Sequence, residues 1–229
     1  MGTKLKTIIF DADDTLWENE IFFRESEKKF CKLLGDFAPP HKVIETLLES
    51  EMSTLNIYGY GIKGFVLCMI RTALQLCGEG LTATMTREII EIGNRQLKHP
   101  VKVYDGVKET LEFLHGRYDL LLATKGDPTD QNRKIEASGL QHYFSHIEIM
   151  PDKKIDNYKS LANRTGIEIK TTAMVGNSLR SDILPVLELG GYGIYIPCQE
   201  TWAHEIAEKP AKSNRFFELD SIKELIKVI

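Results

Sequence analysis

The stretch KTIIFDADDTLW, residues 6–17, fixes how the rest of the chain is read. Residues 6–10 (KTIIF) read as a strand that ends in the apolar run Ile8, Ile9, Phe10 without polar alternation, the pattern of a strand covered on both faces. The run stops at an acidic segment. Asp11, Asp13 and Asp14 put three carboxylates into four residues, with Thr15 directly beyond. Such carboxylates repel one another, and a divalent cation relieves the repulsion. The same residues also suit a solvated acidic turn, because Asp is a favoured turn former.

Four more segments read as buried strands: residues 119–123 (DLLLA), 146–150 (HIEIM), 171–175 (TTAMV) and 191–196 (GYGIYI), with 216–219 as a short edge strand. Helices fit between them. Asp105 reads as an N-cap before Val107, Leu111 and Leu114, with Gly116 as the stop. Asp156 and Gly166 bracket a helix over 157–165. Asp182 opens another, with Pro185 in its first turn and Gly190 at its end. This β-α alternation predicts an α/β fold built on a doubly wound parallel sheet. Right-handed crossovers place the strand C-termini along one edge, where ligands bind in such folds.

Residues 18–98 break the alternation. They carry helical patterns over 21–34, 40–52, 65–76 and 86–98, and no strand pattern. The expected organisation is therefore a core of residues 1–17 and 99–229, with an inserted α-helical domain over 18–98. A length of 229 residues suits a core of that kind plus a smaller insert.

Three further polar clusters follow predicted strands. Residues 123–127 (ATKGD) offer the Thr124 hydroxyl, with Lys125 and Gly126 beside it; Gly126 lets the backbone approach a ligand. Residues 151–154 (PDKK) offer a lysine. Residues 175–182 (VGNSLRSD) offer Asn177 and Asp182, oxygen donors suited to a hard cation. Each has an ordinary alternative: a strand-to-helix turn, an exposed lysine, a helix cap. All four clusters, however, follow strands of one parallel sheet and should meet at one edge. An acid pair, a hydroxyl, a lysine and an amide with an acid are the parts needed for metal-assisted phosphoryl transfer.

The order and spacing of DxDxT, the strand-ending Thr124, the pre-helix lysine and the acidic loop resemble the haloacid dehalogenase-like superfamily. The resemblance spans the whole core, and a helical insert after the first motif resembles that family's C1 cap. It implies a Rossmann-like core and a Mg²⁺-dependent phosphohydrolase acting on a small phosphomonoester. Asp11 would be the nucleophile that forms an aspartyl-phosphate. Asp13 would protonate the leaving oxygen, deprotonate the attacking water and give its backbone carbonyl to Mg²⁺. Thr124 would bind a phosphoryl oxygen, and Lys153 would neutralise charge on the nucleophile and the transferring group. Asn177 and Asp182 would complete the metal site. Two departures stand out. Asn177 replaces the family's common Asp, and two adjacent lysines replace Lys-Pro. Lys153 is favoured because it stands five residues before Tyr158, the inward aromatic of the next helix; Lys154 is the alternative. Asp13 favours a phosphatase over a dehalogenase, since a halide needs no proton to leave. A phosphomutase using the same residues, or a non-catalytic phosphate-binding module, is the other reading.

Composition limits the partners. The net charge is -4, with no basic stripe, so nucleic acid is not expected. The most apolar stretch, residues 64–70, is too short for a membrane span. The N-terminus lacks a signal-peptide hydrophobic region. Cys31, Cys68, Cys77 and Cys198 form no CxxC pair or zinc spacing, which suits reduced thiols and a cytoplasmic location. The expected partner is a small phosphorylated molecule. The Gly- and Tyr-rich segment 56–65 (NIYGYGIKGF) reads as a loop, with Tyr58, Tyr60 and Lys63 as candidate substrate contacts. The six histidines are read as surface or packing residues. Residues 221–229 read as a closing amphipathic helix.

Overall fold

The computed structural model describes residues 5–229; residues 1–4, the start of the segment read for a signal peptide, lie outside that range. The described residues include six strands: β1 (Thr7–Phe10), β2 (Asp119–Lys125), β3 (His146–Met150), β4 (Thr172–Gly176), β5 (Tyr192–Tyr195) and β6 (Phe216–Glu218). They form one sheet in the order β3-β2-β1-β4-β5-β6, and every neighbouring pair is parallel. The nine α-helices among the described residues are α1 (Glu20–Leu33), α2 (Pro40–Tyr58), α3 (Ile62–Cys77), α4 (Ala83–Leu97), α5 (Val107–Leu114), α6 (Pro128–Ser138), α7 (Ile155–Thr165), α8 (Leu184–Glu188) and α9 (Leu225–Val228). The chain forms two compact units. Among the described residues, one takes in 5–20 with Val101–Lys125 and Gln131–Ile229; the other is Ile21–Pro100 with Gly126–Asp130.

In the sheet-bearing unit, side chains alternate between two buried layers, as the pleat requires. Ile8, Phe10, Leu120, Leu122, Ala173 and Val175 face one layer, together with Val107, Leu111 and Leu114 of α5. Ile9, Leu121, Ala123 and Met174 face the other, together with Tyr158 and Leu161 of α7 and Val186 of α8. Burial on both faces explains the apolar runs of β1, β2 and β4, whereas β3, half-buried, alternates with His146 and Glu148.

In the helical unit, α3 packs against both α2 and α4. Phe30, Leu34, Val43, Leu47, Ile62, Phe65, Met69 and Ile89 form its core. The segment 56–65 is not a loop. Helix α2 runs to Tyr58 and α3 starts at Ile62, so only residues 59–61 connect them. Gly59 and Gly61 make that short turn possible, with φ of 69° and 107°.

Other sequence expectations need correction in detail. The residue preceding α5 is Gly106, with φ of 84°, and Asp105 pairs instead with Lys223. A Cβ at position 106 would lie 2.3 Å from Lys223 Cγ. Helix α7 starts at Ile155, and Asn157 Oδ1 accepts from the Lys154 N–H at 3.1 Å, so Asp156 is not its cap. Asp182 lies inside a π turn over Leu179–Ile183 that is capped by Ser178. The chain end is a 3₁₀ turn, Ile222–Glu224, followed by the single turn of α9, rather than a long amphipathic helix. Helix α6 has no counterpart in the sequence reading.

Candidate active site

The register of the sheet brings the polar clusters together. Phe10 of β1 pairs with Leu122 on one side and Val175 on the other. Asp11 is the next residue, and its N–H donates to Val175 O at 2.9 Å. Thr124 and Asn177 each stand two positions beyond those partners. Asp11, Thr124 and Asn177 therefore leave three adjacent strands at the same C-terminal edge. Thr124 is 1% exposed, in register with Ile149 of β3.

Lys153 comes from the turn after β3 and is 2% exposed. Its Nζ donates to Asp11 Oδ1 and, at 2.8 Å, to Asp182 Oδ1. Burial works against the lysine's charge, but Asp11 and Asp182 outweigh it and hold its pKa above the ordinary value. Burial also pushes the Asp11 carboxyl up, to about 7; Lys153 pulls against this, while Asp182 and Asp13 add to it. Lys154 is different: its side chain is 79% exposed and pairs with Asp152 at 2.8 Å. Tyr158 is fully buried, and its hydroxyl donates to Ser181 O at 3.0 Å, which ties α7 to the turn that carries Asp182.

The turn after β1 folds back on itself. The Leu16 N–H donates to Ala12 O, and the Asp14 N–H to Trp17 O, both at 2.8 Å. Asp14 takes a left-handed conformation, with φ of 60°. Its carboxylate accepts from the N–H groups of Asn19 and Glu20 near 3.0 Å and so caps α1. Burial and the neighbouring Asp13 push the Asp14 carboxyl up to about 6, against those two N–H groups. Thr15 Oγ1 donates to Asp11 Oδ2 at 2.9 Å and accepts from the Asn177 N–H at 3.1 Å.

Asn177 decides how well this site suits a cation. Asn177 Oδ1 accepts from Thr15 Oγ1 at 3.3 Å. The same atom stands 3.2 Å from both Asp11 Oδ2 and Asp13 O, a position where, without a cation, hydrogen bonding favours Nδ2 of the rotated amide. An all-oxygen set at this spacing matches neighbouring ligands of an octahedral Mg²⁺, which lie about 3 Å apart. The residues therefore fit a hard cation. Asp182, read as a fourth ligand, has one oxygen on Lys153 and the other accepting from the Ser178 N–H at 3.0 Å. Its position is that of an anchor for Lys153 and for the turn. Among the described residues, no three His, Cys, Asp or Glu side chains form a metal cluster.

Lys125, read as a substrate contact, is bound into another network. Its Nζ donates to Glu205 and, at 2.8 Å, to Ser181 Oγ. Glu205 Oε2 also accepts from Ser178 Oγ at 2.6 Å. Gly126 has a φ of 145°, a conformation that favours glycine. Tyr60 is half-buried in the helical unit, where Lys63 donates to Asp127 at 3.0 Å.

Sequence reasoning missed Gln131, Lys134 and Glu205. Lys134 Nζ contacts both oxygens of Asp13, at 2.6 and 2.7 Å, and Gln131 Nε2 donates to Asp13 Oδ2 at 2.8 Å. A signal for their helix existed. In DPTD, residues 127–130, Asp127 is an N-cap followed by Pro at the first helical position, and Asp127 Oδ1 accepts from the Asp130 N–H at 3.0 Å.

Comparison with known proteins gives the family. Residues 5–190 match the haloacid dehalogenase-like hydrolase family, and the chain belongs to it. It is 33% identical to N-acylneuraminate-9-phosphatase of Mus musculus over 82% of this chain and 80% of that protein. It is 25% identical to phosphoglycolate phosphatase of Haemophilus influenzae, over 88% and 93% of the two chains. The crystal structure of a haloacid dehalogenase-like family hydrolase from Xanthomonas campestris superposes with a TM-score of 0.87 at 36% identity, covering 97% of this chain and 89% of that one. With this family match and phosphatases among its relatives, the chain is a phosphatase.

Proposed function

We propose that the chain hydrolyses a small phosphomonoester with Mg²⁺, through an aspartyl-phosphate on Asp11. The observation that carries this reading is the buried Lys153, shared between Asp11 and Asp182 at the C-terminal edge of the central strand. A buried lysine against one carboxylate makes a salt bridge. Placed against the residue that directly follows β1, it readies a site for an incoming anion.

Asp11 attacks phosphorus: its oxygen bonds to the phosphoryl group as the ester P–O bond breaks. Asp13 gives its proton to the leaving oxygen. Asp13 then takes a proton from the water that attacks phosphorus, and the bond from phosphorus to Asp11 breaks. Thr124 Oγ1 donates to a phosphoryl oxygen, and Lys153 neutralises charge on the nucleophile and the transferring group. Asp11, the Asp13 carbonyl and Asn177 Oδ1 would hold Mg²⁺, with Asp182 behind Lys153. The cation supplies positive charge against the phosphoryl oxygens and favours the ionised nucleophile. We read the helical unit as the family's C1-type cap, the element that selects the substrate. The two curated relatives, named for N-acylneuraminate-9-phosphate and phosphoglycolate, support a small phosphorylated metabolite. The four free cysteines support a reducing, cytoplasmic location, and no helix among the described residues is long and apolar enough to cross a membrane.

The test is phosphate release from a panel of phosphorylated metabolites with Mg²⁺, beside an Asp11→Asn control. Turnover that depends on both Mg²⁺ and Asp11 supports the reading; a rate equal to the control refutes it. Product analysis separates hydrolysis from a mutase reaction, in which the phosphoryl group stays on the organic product.

A further inference from the structure

We infer that Lys134, together with Gln131, is a positioning residue for the Asp13 carboxylate; this rests on the reading of Asp13 as acid and base. The two side chains stand three residues apart on α6 and so share one of its faces. Both are buried, at 7% and 2% exposure. Lys134 Nζ reaches Asp13 Oδ1 at 2.6 Å and Oδ2 at 2.7 Å, and also donates to Asn19 Oδ1 at 3.1 Å. Gln131 Nε2 donates to Asp13 Oδ2 at 2.8 Å and to Lys125 O at 2.7 Å. Trp17 Nε1 donates to Asp13 Oδ1 at 2.6 Å.

A carboxylate has about four acceptor sites. These donors engage both oxygens twice, which fixes the plane of the group as well as its rotamer. Lys134 differs from the other two donors. Trp17 and Gln131 hold one oxygen each, whereas Lys134 bridges both. When one N–H donor gives way, that Asp13 oxygen can carry the proton for the leaving group while the ammonium still holds the other oxygen. Gln131 directs its nitrogen to Asp13 and the Lys125 carbonyl, while its own buried Oε1 finds no protein partner. A catalytic group misplaced by about 1 Å costs on the order of a hundredfold in rate. Lys134 thus acts on the reaction through Asp13, without touching the phosphoryl group.

The test compares kcat/KM for an alkyl phosphate with that for p-nitrophenyl phosphate. The alkyl leaving group needs a proton from Asp13, and p-nitrophenolate departs without one. Asp13→Asn should lower the alkyl-to-aryl ratio by on the order of a hundredfold. Lys134→Met should lower it by about tenfold, Lys134→Arg should recover most of that loss, and Gln131→Leu should give a smaller fall in the same direction, as expected for misplacement rather than removal of the acid. An unchanged ratio in Lys134→Met, beside a lowered one in Asp13→Asn, overturns the inference alone. An unchanged ratio in Asp13→Asn overturns the role of Asp13, and the inference with it. Should Lys134→Met fail to fold, Gln131→Leu decides in the same way.

Discussion

Asp182 Oδ1 accepts a hydrogen bond from Lys153 Nζ at 2.8 Å, and both side chains are almost wholly withdrawn from water. The same ammonium contacts Asp11, so one lysine joins the loop after β1 to the turn after β4. Removing one partner from such a buried set leaves charge without compensation, which is far more costly than losing a surface pair.

Lys153→Met should therefore remove activity by more than about a hundredfold and destabilise the protein by about 3–5 kcal/mol. Lys154→Met should change stability by no more than about 0.5 kcal/mol, since its pair with Asp152 is exposed. Steady-state kinetics and urea unfolding of the two variants check this. Near-normal turnover in Lys153→Met would remove the central lysine from the account.

Asn177→Asp should bind Mg²⁺ more tightly, on the order of tenfold, or about 1.4 kcal/mol, because it adds a negative charge to an oxygen donor set. The metal-free protein should lose stability, because a carboxylate there faces Asp11 Oδ2 and Asp13 O with neither orientation able to donate, whereas the Asn177 amide can rotate to present Nδ2. Calorimetric titration with Mg²⁺ and thermal unfolding without metal read the two effects separately. Unaltered metal affinity in this variant would contradict the assignment of Asn177 to the cation site.

Glu205 gives a pH prediction. Burial works to raise its pKa, but Lys125 and the Ser178 and Ser181 hydroxyls outweigh burial and hold it below the ordinary 4.5. A carboxyl depressed on folding adds stability above its unfolded value and loses it as pH falls through the folded value. Glu205→Gln should cost about 2 kcal/mol at pH 7, and the difference from wild type should shrink as pH falls below 4.5. Urea unfolding at neutral and acid pH checks this; a difference that grows on acidification has the wrong sign.

The fold was legible because burial on both faces of a parallel sheet writes apolar runs, each ending in a polar cluster at the same edge. The convergence of Asp11, Thr124 and Asn177 on that edge follows from that rule alone. Lys153 could be preferred to Lys154 from its spacing to Tyr158, whose ring is indeed buried. Helix α6 was illegible for the opposite reason. Its buried face is Gln131, Lys134, Ile135 and Ser138, so the side chains it hides are mostly polar. A search for apolar periodicity passes over such a helix, and the cradle of Asp13 goes with it. Glu205 was unreadable because its partners Lys125, Ser178 and Ser181 lie at least 24 residues away in sequence. The glycines of 56–65 read as a loop, yet they serve a turn of three residues between two long helices.

The most direct measurement is chemical trapping of the nucleophile. The enzyme is mixed with Mg²⁺ and a phosphomonoester, quenched in acid within one turnover, digested and read by peptide mass spectrometry. The account predicts a phosphoryl group on the peptide containing residues 5–17, localised to Asp11 and absent in Asp11→Asn. Phosphate carried by another residue, or rapid turnover with Asp11 never modified, would contradict it.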